Sequence, residues 1–295
     1  MNERPQRKGV MLAVPADEKK ILKFGDRFYL QPKLNGERCI VSEFQGKPLL
    51  LSSYEDPFEF LDKIRNAIEA IWDIYDLPIL FDGELYKHGW ERERIHSACS
   101  RTVNYNPDVE ELEYHIFDIK APVNQGERLR LLDHALRYFD ENRSPLKVVP
   151  TYWATPHNCM AISDRFLQQG YEGSIFRNPN YPTYEARRLT NQLLKYKPTE
   201  IDEYEILGVE EAISKNGEPL EMVGAFIVQG DDLNPFRVGA GKLTHDQRKH
   251  YWMIQSTLKG MTLVTKQGKI KTTNGIPTCA VAVEVKEAYV RPQGN

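Results

Sequence analysis

The chain has 295 residues, which is long for a single hydrophobic core and favours two domains. Its composition, with 41% hydrophobic and 27% charged residues, is that of a globular protein, and no apolar run approaches the roughly 18 residues that a membrane-spanning helix needs. The net charge of −3 excludes a chain that is basic throughout, although basic residues can still concentrate on one surface.

The first two thirds of the chain mix strand and helix patterns without regular alternation. Residues 58–76 and 127–142 place apolar side chains at helical spacing, and residues 28–52 resemble short strands separated by turns. Further strand patterns lie at residues 77–86, 111–120, 173–177 and 192–197. This succession predicts an α+β fold rather than a doubly wound parallel sheet.

The pattern changes after Lys197. Residues 198–204 are polar and begin with proline, which predicts a linker, and we place the domain boundary between residues 198 and 199. Beyond it, short β-rich runs alternate with glycine turns, and one helical pattern at residues 244–258 interrupts them. A small β-barrel fits this second domain, residues 199–295.

Basic residues are concentrated in that second domain. Eight Lys and Arg residues lie between Arg237 and Lys271, with Asp246 as the single acid among them. Such a segment can be a solvated surface or a phosphate-binding surface, and charge alone leaves both readings open.

The cysteines and the N-terminal segment indicate the cellular compartment in which the protein works. The four cysteines are widely spaced without a CxxC pair, which indicates a reducing compartment and argues against a structural zinc site. The N-terminal segment is charged and lacks the apolar stretch of a secretory signal. We therefore expect a cytoplasmic protein.

Five short motifs carry residues suited to phosphate chemistry. In the first, Lys33 lies between a strand pattern and the turn at Gly36; a lysine held at a rigid edge can be a nucleophile, although a lysine near a turn is more often a plain surface residue. The other four are Phe81-Asp82-Gly83-Glu84, Phe117-Asp118, Glu172-Gly173-Ser174-Ile175-Phe176-Arg177 and Leu194-Lys195-Tyr196-Lys197. Alternation puts Lys195 and Lys197 on one strand face, where phosphate would be a matching anion.

Together, in this order, the motifs resemble those of the covalent nucleotidyltransferase superfamily of DNA ligases, RNA ligases and mRNA capping enzymes. The resemblance covers roughly residues 10–290 and implies an adenylation domain of antiparallel sheets with helices, followed by an all-β OB-fold domain. Gly36-Glu37-Arg38, the FDGEL form of the acidic motif and the pair Gly224-Ala225-Phe226 and Phe236-Arg237-Val238-Gly239-Ala240-Gly241 look like the small ATP-dependent DNA ligases of viruses and bacteriophages. We expect the minimal two-domain form, located in the host cytoplasm if a phage encodes it.

The resemblance also implies a role for each charged motif residue. Lys33 would attack the α-phosphorus of ATP to form lysyl-AMP, and Lys195 and Lys197 would stabilise the charge on that phosphate. Glu84 would hold the ribose hydroxyls or a metal-bound water. Glu172 would help to place the divalent cation, Mg²⁺ or Mn²⁺.

Other residues would bind the base and the DNA. Phe117 would stack on adenine, Gln31 would read its edge, and Arg38 would grip the ribose or the 5′-phosphate of a nick. The expected partner is nicked double-stranded DNA, bound by a monomer in repair, replication or recombination. The candidate contacts to its backbone phosphates in the second domain are Arg237, Lys242, Arg248 and Lys249.

Three departures leave alternatives open. Asn35 stands where the nucleophile motif usually has aspartate, Ser52-Ser53-Tyr54 lacks the arginine of a Ser-x-Arg arrangement, and only Lys286 or Arg291 lies near the expected C-terminal basic motif. An RNA ligase or an mRNA capping guanylyltransferase with the same lysine chemistry is therefore an alternative. A catalytically inactive DNA-binding module of the same fold is another.

Overall fold

The computed structural model describes residues 7–137, 139–140, 143–230, 234–268, 271, 276–277 and 279–286. Within them the chain forms two compact units, one ending at Lys197 and the other beginning at Pro198. The strands of the first unit are β1 (Val14–Pro15), β2 (Phe28–Lys33), β3 (Glu37–Phe44), β4 (Lys47–Ser52), β5 (Phe81–Tyr86), β6 (Glu113–Ile119), β7 (Leu146–Val148), β8 (Tyr152–Ala154), β9 (Gly173–Arg177) and β10 (Leu193–Tyr196). Its α-helices are α1 (Glu18–Leu22), α2 (Asp62–Tyr75), α3 (Arg92–Cys99), α4 (Gln125–Leu136) and α5 (Cys159–Gln168), and a 3-10 helix spans Pro107–Glu111.

Two five-stranded sheets make up the first unit. Their strand orders are β1-β10-β9-β2-β8, sheet 1, and β4-β3-β5-β6-β7, sheet 2. Most neighbouring strands are antiparallel, as predicted, whereas β1 with β10 and β6 with β7 are parallel pairs. The α+β class predicted from the sequence is confirmed.

Each sheet packs against its own hydrophobic core. On α2 the side chains of Ile64, Ile68 and Ile71 are at most 1% exposed and belong to the core of sheet 2. Burying each such side chain stabilises the fold by about 1.5–3 kcal/mol. The helix begins at Asp62, four residues later than predicted, and ends at Tyr75, because the next residue, Asp76, has a left-handed backbone (φ 48°) that does not continue the helix. A separate core under sheet 1 joins α5 to β2 and β9.

The second unit is a closed barrel with strand order β11-β12-β13-β15-β14. Its elements are β11 (Thr199–Ile213), β12 (Pro219–Gln229), β13 (Pro235–Gly239), α6 (His245–Met253), a 3-10 helix at Gln255–Thr257, β14 (Thr262–Gly268) and β15 (Val281–Lys286). A side-chain capping box between Thr244 and Gln247 begins α6. The predicted small β-barrel with one helix is therefore present.

The predicted linker at residues 198–204 is wrong. From Thr199 the chain is already strand β11, paired with β14 through Tyr204 and beyond. Polar residues favoured a linker, but in the barrel several of them form hydrogen bonds with one another. The Tyr204 hydroxyl donates to Asp202 at 3.0 Å, and the buried Gln267 amide donates to Asp202 at 3.1 Å. None of the helices in the described ranges has the length and apolarity to cross a bilayer.

Candidate active site

Lys33 is the last residue of β2 in sheet 1, and the chain continues from it through a short turn into β3 of sheet 2. It pairs in register with Gly173 of β9, and the backbone N–H of Glu172 donates to the Lys33 carbonyl oxygen at 3.0 Å. This register brings the Glu172 carboxylate to the Lys33 ammonium, with which it forms an ion pair. The Lys33 and Glu172 side chains are 21% and 11% exposed, so the pair is largely withdrawn from solvent.

The last motif lies on and just after the neighbouring strand, and one of its two lysines reaches the same carboxylate. Lys195 lies opposite Ile175 in the pairing of β10 with β9, and Lys197 follows β10 directly. The Lys197 ammonium pairs with the second carboxylate oxygen of Glu172, which therefore lies between two cations. Three motifs that are far apart in sequence thus meet at Glu172.

Sheet 2 contributes Glu84 through the turn that follows Lys33. The backbone N–H of Gly36 donates to Glu84 Oε1 at 2.8 Å, and β3 pairs with β5 so that Arg38 lies opposite Glu84. A Cβ atom on Gly36 would lie 2.1 Å from the Leu85 carbonyl oxygen. Only glycine fits at this crossing between the sheets, which explains why the motif carries Gly36.

Burial and charge act on the ionisation of the site in different directions. Desolvation raises the pKa of Glu84, and the nearby Glu172 adds to this effect, against the opposing influence of Lys33 and the Gly36 hydrogen bond. Desolvation also opposes ionisation of Glu172, but Lys33 and Lys197 outweigh it and hold the pKa of Glu172 below its usual value. Burial, together with Lys197 and Lys33, lowers the pKa of Lys195. The structure therefore brings Lys33 close to Glu84, Glu172 and Lys195, to which the family resemblance gives roles in the same reaction.

Arg38 lies beside these groups but is bound to Asp82. Its Nε donates to Asp82 Oδ1 at 2.6 Å, a second guanidinium nitrogen donates to Oδ2, and Asp82 itself is completely buried. The Tyr184 hydroxyl donates to the same carboxylate at 2.6 Å. The Arg38 side chain remains 20% exposed, so part of the guanidinium can still meet a ligand.

Gln31 and Phe117 are placed as core residues. The Gln31 side-chain amide is 1% exposed, donates to Thr151 Oγ1 at 2.8 Å and accepts from Arg177 Nε at 2.6 Å. The Phe117 ring is 8% exposed, and the guanidinium groups of Arg38 and Arg177 lie 4.6 and 5.2 Å from its centroid. As placed, neither side chain is open to adenine, so these two roles stay predictions that require local rearrangement.

A buried charged network beneath Phe117 was not expected from the sequence. Asp118 accepts hydrogen bonds from Arg128 Nε at 2.8 Å and from a terminal nitrogen of Arg177 at 2.7 Å, and all three side chains are at most 2% exposed. Gln125 joins them through its side-chain oxygen. Burial lowers the pKa of Arg177, although Asp118 and Asp82 oppose this effect. The only sequence signal was Asp118 next to Phe117, and it did not reveal the partners.

The four basic candidates in the barrel differ in their surroundings. Arg237 is paired with Glu210 at 2.6 Å, and Arg248 Nε donates to the Val223 carbonyl oxygen at 2.7 Å, which attaches α6 to β12. Lys242 and Lys249 are exposed, and their ammonium groups have no hydrogen bond or ion pair within the described residues. The ammonium groups of these two lysines are therefore free to bind an external phosphate.

The structure also shows the surroundings of residues at which the sequence departs from the family motifs. Asn35 is partly buried in the turn after Lys33, and Tyr54 is 41% exposed. Lys286 pairs with Glu203 at 2.6 Å on the barrel surface. Arg291 lies outside the described residues.

The architecture is a unit of two five-stranded sheets followed by a closed five-stranded barrel. Solved DNA ligases share this fold. A Lig E DNA ligase superposes with a TM-score of 0.74 at 19% identity, covering 94% of this chain and 99% of that one. The Chlorella virus DNA ligase-adenylate gives a TM-score of 0.52 at 19% identity, covering 97% of this chain and 100% of that one.

The sequence is also similar to a curated protein. It is 25% identical over 277 residues to the DNA ligase of African swine fever virus, covering 88% of this chain and 63% of that protein. The chain thus spans less than two thirds of that relative's length. No family model matches the chain. The similarity to viral DNA ligases expected from the motifs is confirmed.

Proposed function

We propose that the protein is an ATP-dependent DNA ligase that seals nicks with a 3′-hydroxyl and a 5′-phosphate through lysyl-AMP on Lys33. The observation that best supports this proposal is that Glu172 forms ion pairs with both Lys33 and Lys197, close to Glu84 and Lys195. The curated relatives are named DNA ligases, which supports DNA as the substrate over RNA or an mRNA cap. A monomer acting in the cytoplasm on nicked duplex DNA is part of the proposal.

In the first step the Lys33 amine attacks the α-phosphorus of ATP. An N–P bond forms to Nζ, the bond to the bridging oxygen breaks, and pyrophosphate leaves with the electron pair. The Lys33 ammonium group must first separate from Glu172 and lose a proton to solvent, because only the neutral amine has a free electron pair for the attack. Lys197 then keeps Glu172 compensated, and Lys195 and Lys197 stabilise the negative charge on the transferring phosphate.

The carboxylates of Glu84 and Glu172 suit a divalent cation. No group of three or more His, Cys, Asp or Glu side chains that could hold a metal occurs among the described residues. Mg²⁺ needs only one or two carboxylates when water and substrate phosphates complete its shell, so these two oxygen donors fit Mg²⁺ or Mn²⁺. Such a cation would neutralise phosphate charge during transfer.

The later steps use the DNA. The AMP group passes from Lys33 to the 5′-phosphate of the nick, and the adjacent 3′-hydroxyl then attacks that phosphate and displaces AMP. Both steps are phosphoryl transfers, for which positioning and cation stabilisation dominate. Lys242 and Lys249 of the barrel would hold backbone phosphates without reading base sequence.

A direct comparison of substrates tests this function. The purified protein is incubated with Mg²⁺ and either ATP or GTP, and with nicked duplexes whose sealed strand is DNA or RNA. We expect sealing of the DNA nick with ATP. Sealing confined to RNA would assign an RNA ligase, and labelling by GTP alone would assign a guanylyltransferase.

A further inference from the structure

Lys120 is a partly buried cation that the proposed mechanism does not use. It follows β6 directly, and its backbone N–H donates to the Leu80 carbonyl oxygen at 2.8 Å, which fixes its position at the end of sheet 2. Its Nζ atom lies 3.5 Å from the position that a Cβ atom on Gly9 would take. Within the described part of the chain, this ammonium group makes no hydrogen bond and no ion pair.

The carboxylates around Lys120 are already bound to other groups. Its charge interacts with Asp82, Arg38 and Glu55. Asp82 is occupied by Arg38 and Tyr184, and Glu55 lies at the exposed surface, paired with Lys8 at 3.1 Å. Arg38 also interacts with Glu84, and Asp118 is paired with Arg128 and Arg177. Each of these carboxylates therefore has another cation as its partner, whereas Lys120 has no anionic partner within the described residues.

An unpaired ammonium group in a partly desolvated place is energetically unfavourable. Desolvation is the main reason that the pKa of Lys120 is lowered, with Asp82 opposing and Arg38 reinforcing the effect. Lysine could avoid this cost by reaching into solvent, as exposed lysines do. An anionic ligand would supply the missing partner, and a terminal phosphate group carries about two negative charges at neutral pH.

We propose that Lys120, together with the exposed part of Arg38, binds a terminal phosphate group of a substrate. The inference rests on the proposed function for the identity of that substrate. The two sources are the 5′-phosphate of a nicked strand and the triphosphate of ATP. The shared chemistry is a phosphate dianion held by an ammonium and a guanidinium group.

The test uses Lys120→Met, Lys120→Arg and the matched control Lys23→Met, whose lysine is exposed in the same unit. Equilibrium binding is measured without ATP to nicked duplexes that carry either a 5′-phosphate or a 5′-hydroxyl. The ATP concentration dependence of Lys33 labelling is measured separately. Thermal unfolding of each variant reports whether the fold is intact.

If the phosphate is that of the nick, Lys120→Met loses about tenfold or more of the preference for the 5′-phosphate, and Lys120→Arg keeps most of it. If the phosphate is that of ATP, Lys120→Met instead raises the KM for labelling by a similar factor. The melting temperature of Lys120→Met should equal or exceed that of the wild type, because an unpaired charge is removed. Lys23→Met should behave as the wild type.

The proposal is overturned if both the 5′-phosphate preference and the KM for ATP are unchanged in Lys120→Met. It is also overturned if that variant melts at a clearly lower temperature, since Lys120 would then stabilise the fold through a contact of its own. Failure of the proposed function has another signature: the wild type itself would show no labelling. The DNA-binding comparison needs no catalysis and still reports on Lys120 in that case.

Discussion

Replacing Asp118 by asparagine tests the buried charged network that supports the candidate site. Asp118 is completely buried and compensates Arg128 and Arg177, which are themselves 0% and 2% exposed. Asparagine keeps the size but removes the charge, and its amide group turns N–H donors towards guanidinium donors. Asp118→Asn therefore leaves two buried cations without their common carboxylate.

The expected loss is large because water cannot replace the carboxylate. Breaking a buried ion pair by removing one partner costs about 3–5 kcal/mol. For a unit of this size, each kcal/mol lowers the melting temperature by roughly 2–4 °C, so the expected decrease is on the order of 10 °C. Since Arg177 also holds the Gln31 amide at 2.6 Å, labelling of Lys33 by ATP should fall together with stability.

Urea unfolding followed by tryptophan fluorescence measures this loss, because Trp72, Trp90 and Trp153 report on the first unit. The control is Asp73→Asn, an exposed aspartate on α2, which should change the free energy of unfolding by less than about 0.5 kcal/mol. A loss below about 1 kcal/mol for Asp118→Asn would refute the reasoning, since the arginines would then not depend on this carboxylate.

Three further predictions concern the site and the barrel. Burial raises the pKa of Glu84 above its usual 4.5, so ionised Glu84 destabilises the fold at neutral pH. Glu84→Gln should therefore melt higher at pH 7.5, with a gain that shrinks as the pH falls from the raised pKa towards 4.5 and is absent below 4.5; a lower melting temperature at pH 7.5 would contradict this. Gly36→Ala places a Cβ atom 2.1 Å from the Leu85 carbonyl oxygen and should abolish labelling of Lys33 by ATP, whereas Gly126→Ala, whose nearest contact is 3.4 Å, should leave it unchanged. The double variant Lys242→Ala/Lys249→Ala should make the slope of log affinity for duplex DNA against log salt concentration less negative by about 1.8, and an unchanged slope would exclude both phosphate contacts.

Local patterns in the sequence were sufficient for the elements that carry the site. The strand at residues 173–177 was predicted with the bounds that β9 has, because Gly173 precedes a short run that contains Ile175 and Phe176. The turn after Lys33 was also predicted, because glycine is common in turns and Gly36 follows the strand pattern. The structure gives the reason for this glycine: a Cβ atom at that position would overlap the Leu85 carbonyl oxygen. The grouping of Lys33, Glu172 and Lys197 required the resemblance, because strand order in a sheet is not encoded locally.

The features that the sequence did not reveal depend on long-range contacts. Arg177 reaches Gln31 across 146 positions of the chain, and no local pattern distinguishes this arginine from an exposed one. Arg248 was predicted as a phosphate contact because it lies in a basic segment, and nothing in that segment indicated that its Nε binds a carbonyl oxygen of β12. Helices α1, α3 and α5 were not predicted; α1 is only five residues long, and α3 is strongly polar.

The most direct test of the account is the covalent labelling of Lys33. The protein is incubated with ATP and Mg²⁺, and its intact mass is compared with those of Lys33→Ala and of the control Lys47→Ala, whose lysine side chain is 74% exposed in the same unit. We predict that the wild type and Lys47→Ala gain the mass of one AMP group and that Lys33→Ala gains none. A wild type that gains no mass, or a Lys33→Ala variant that still does, would contradict the central claim.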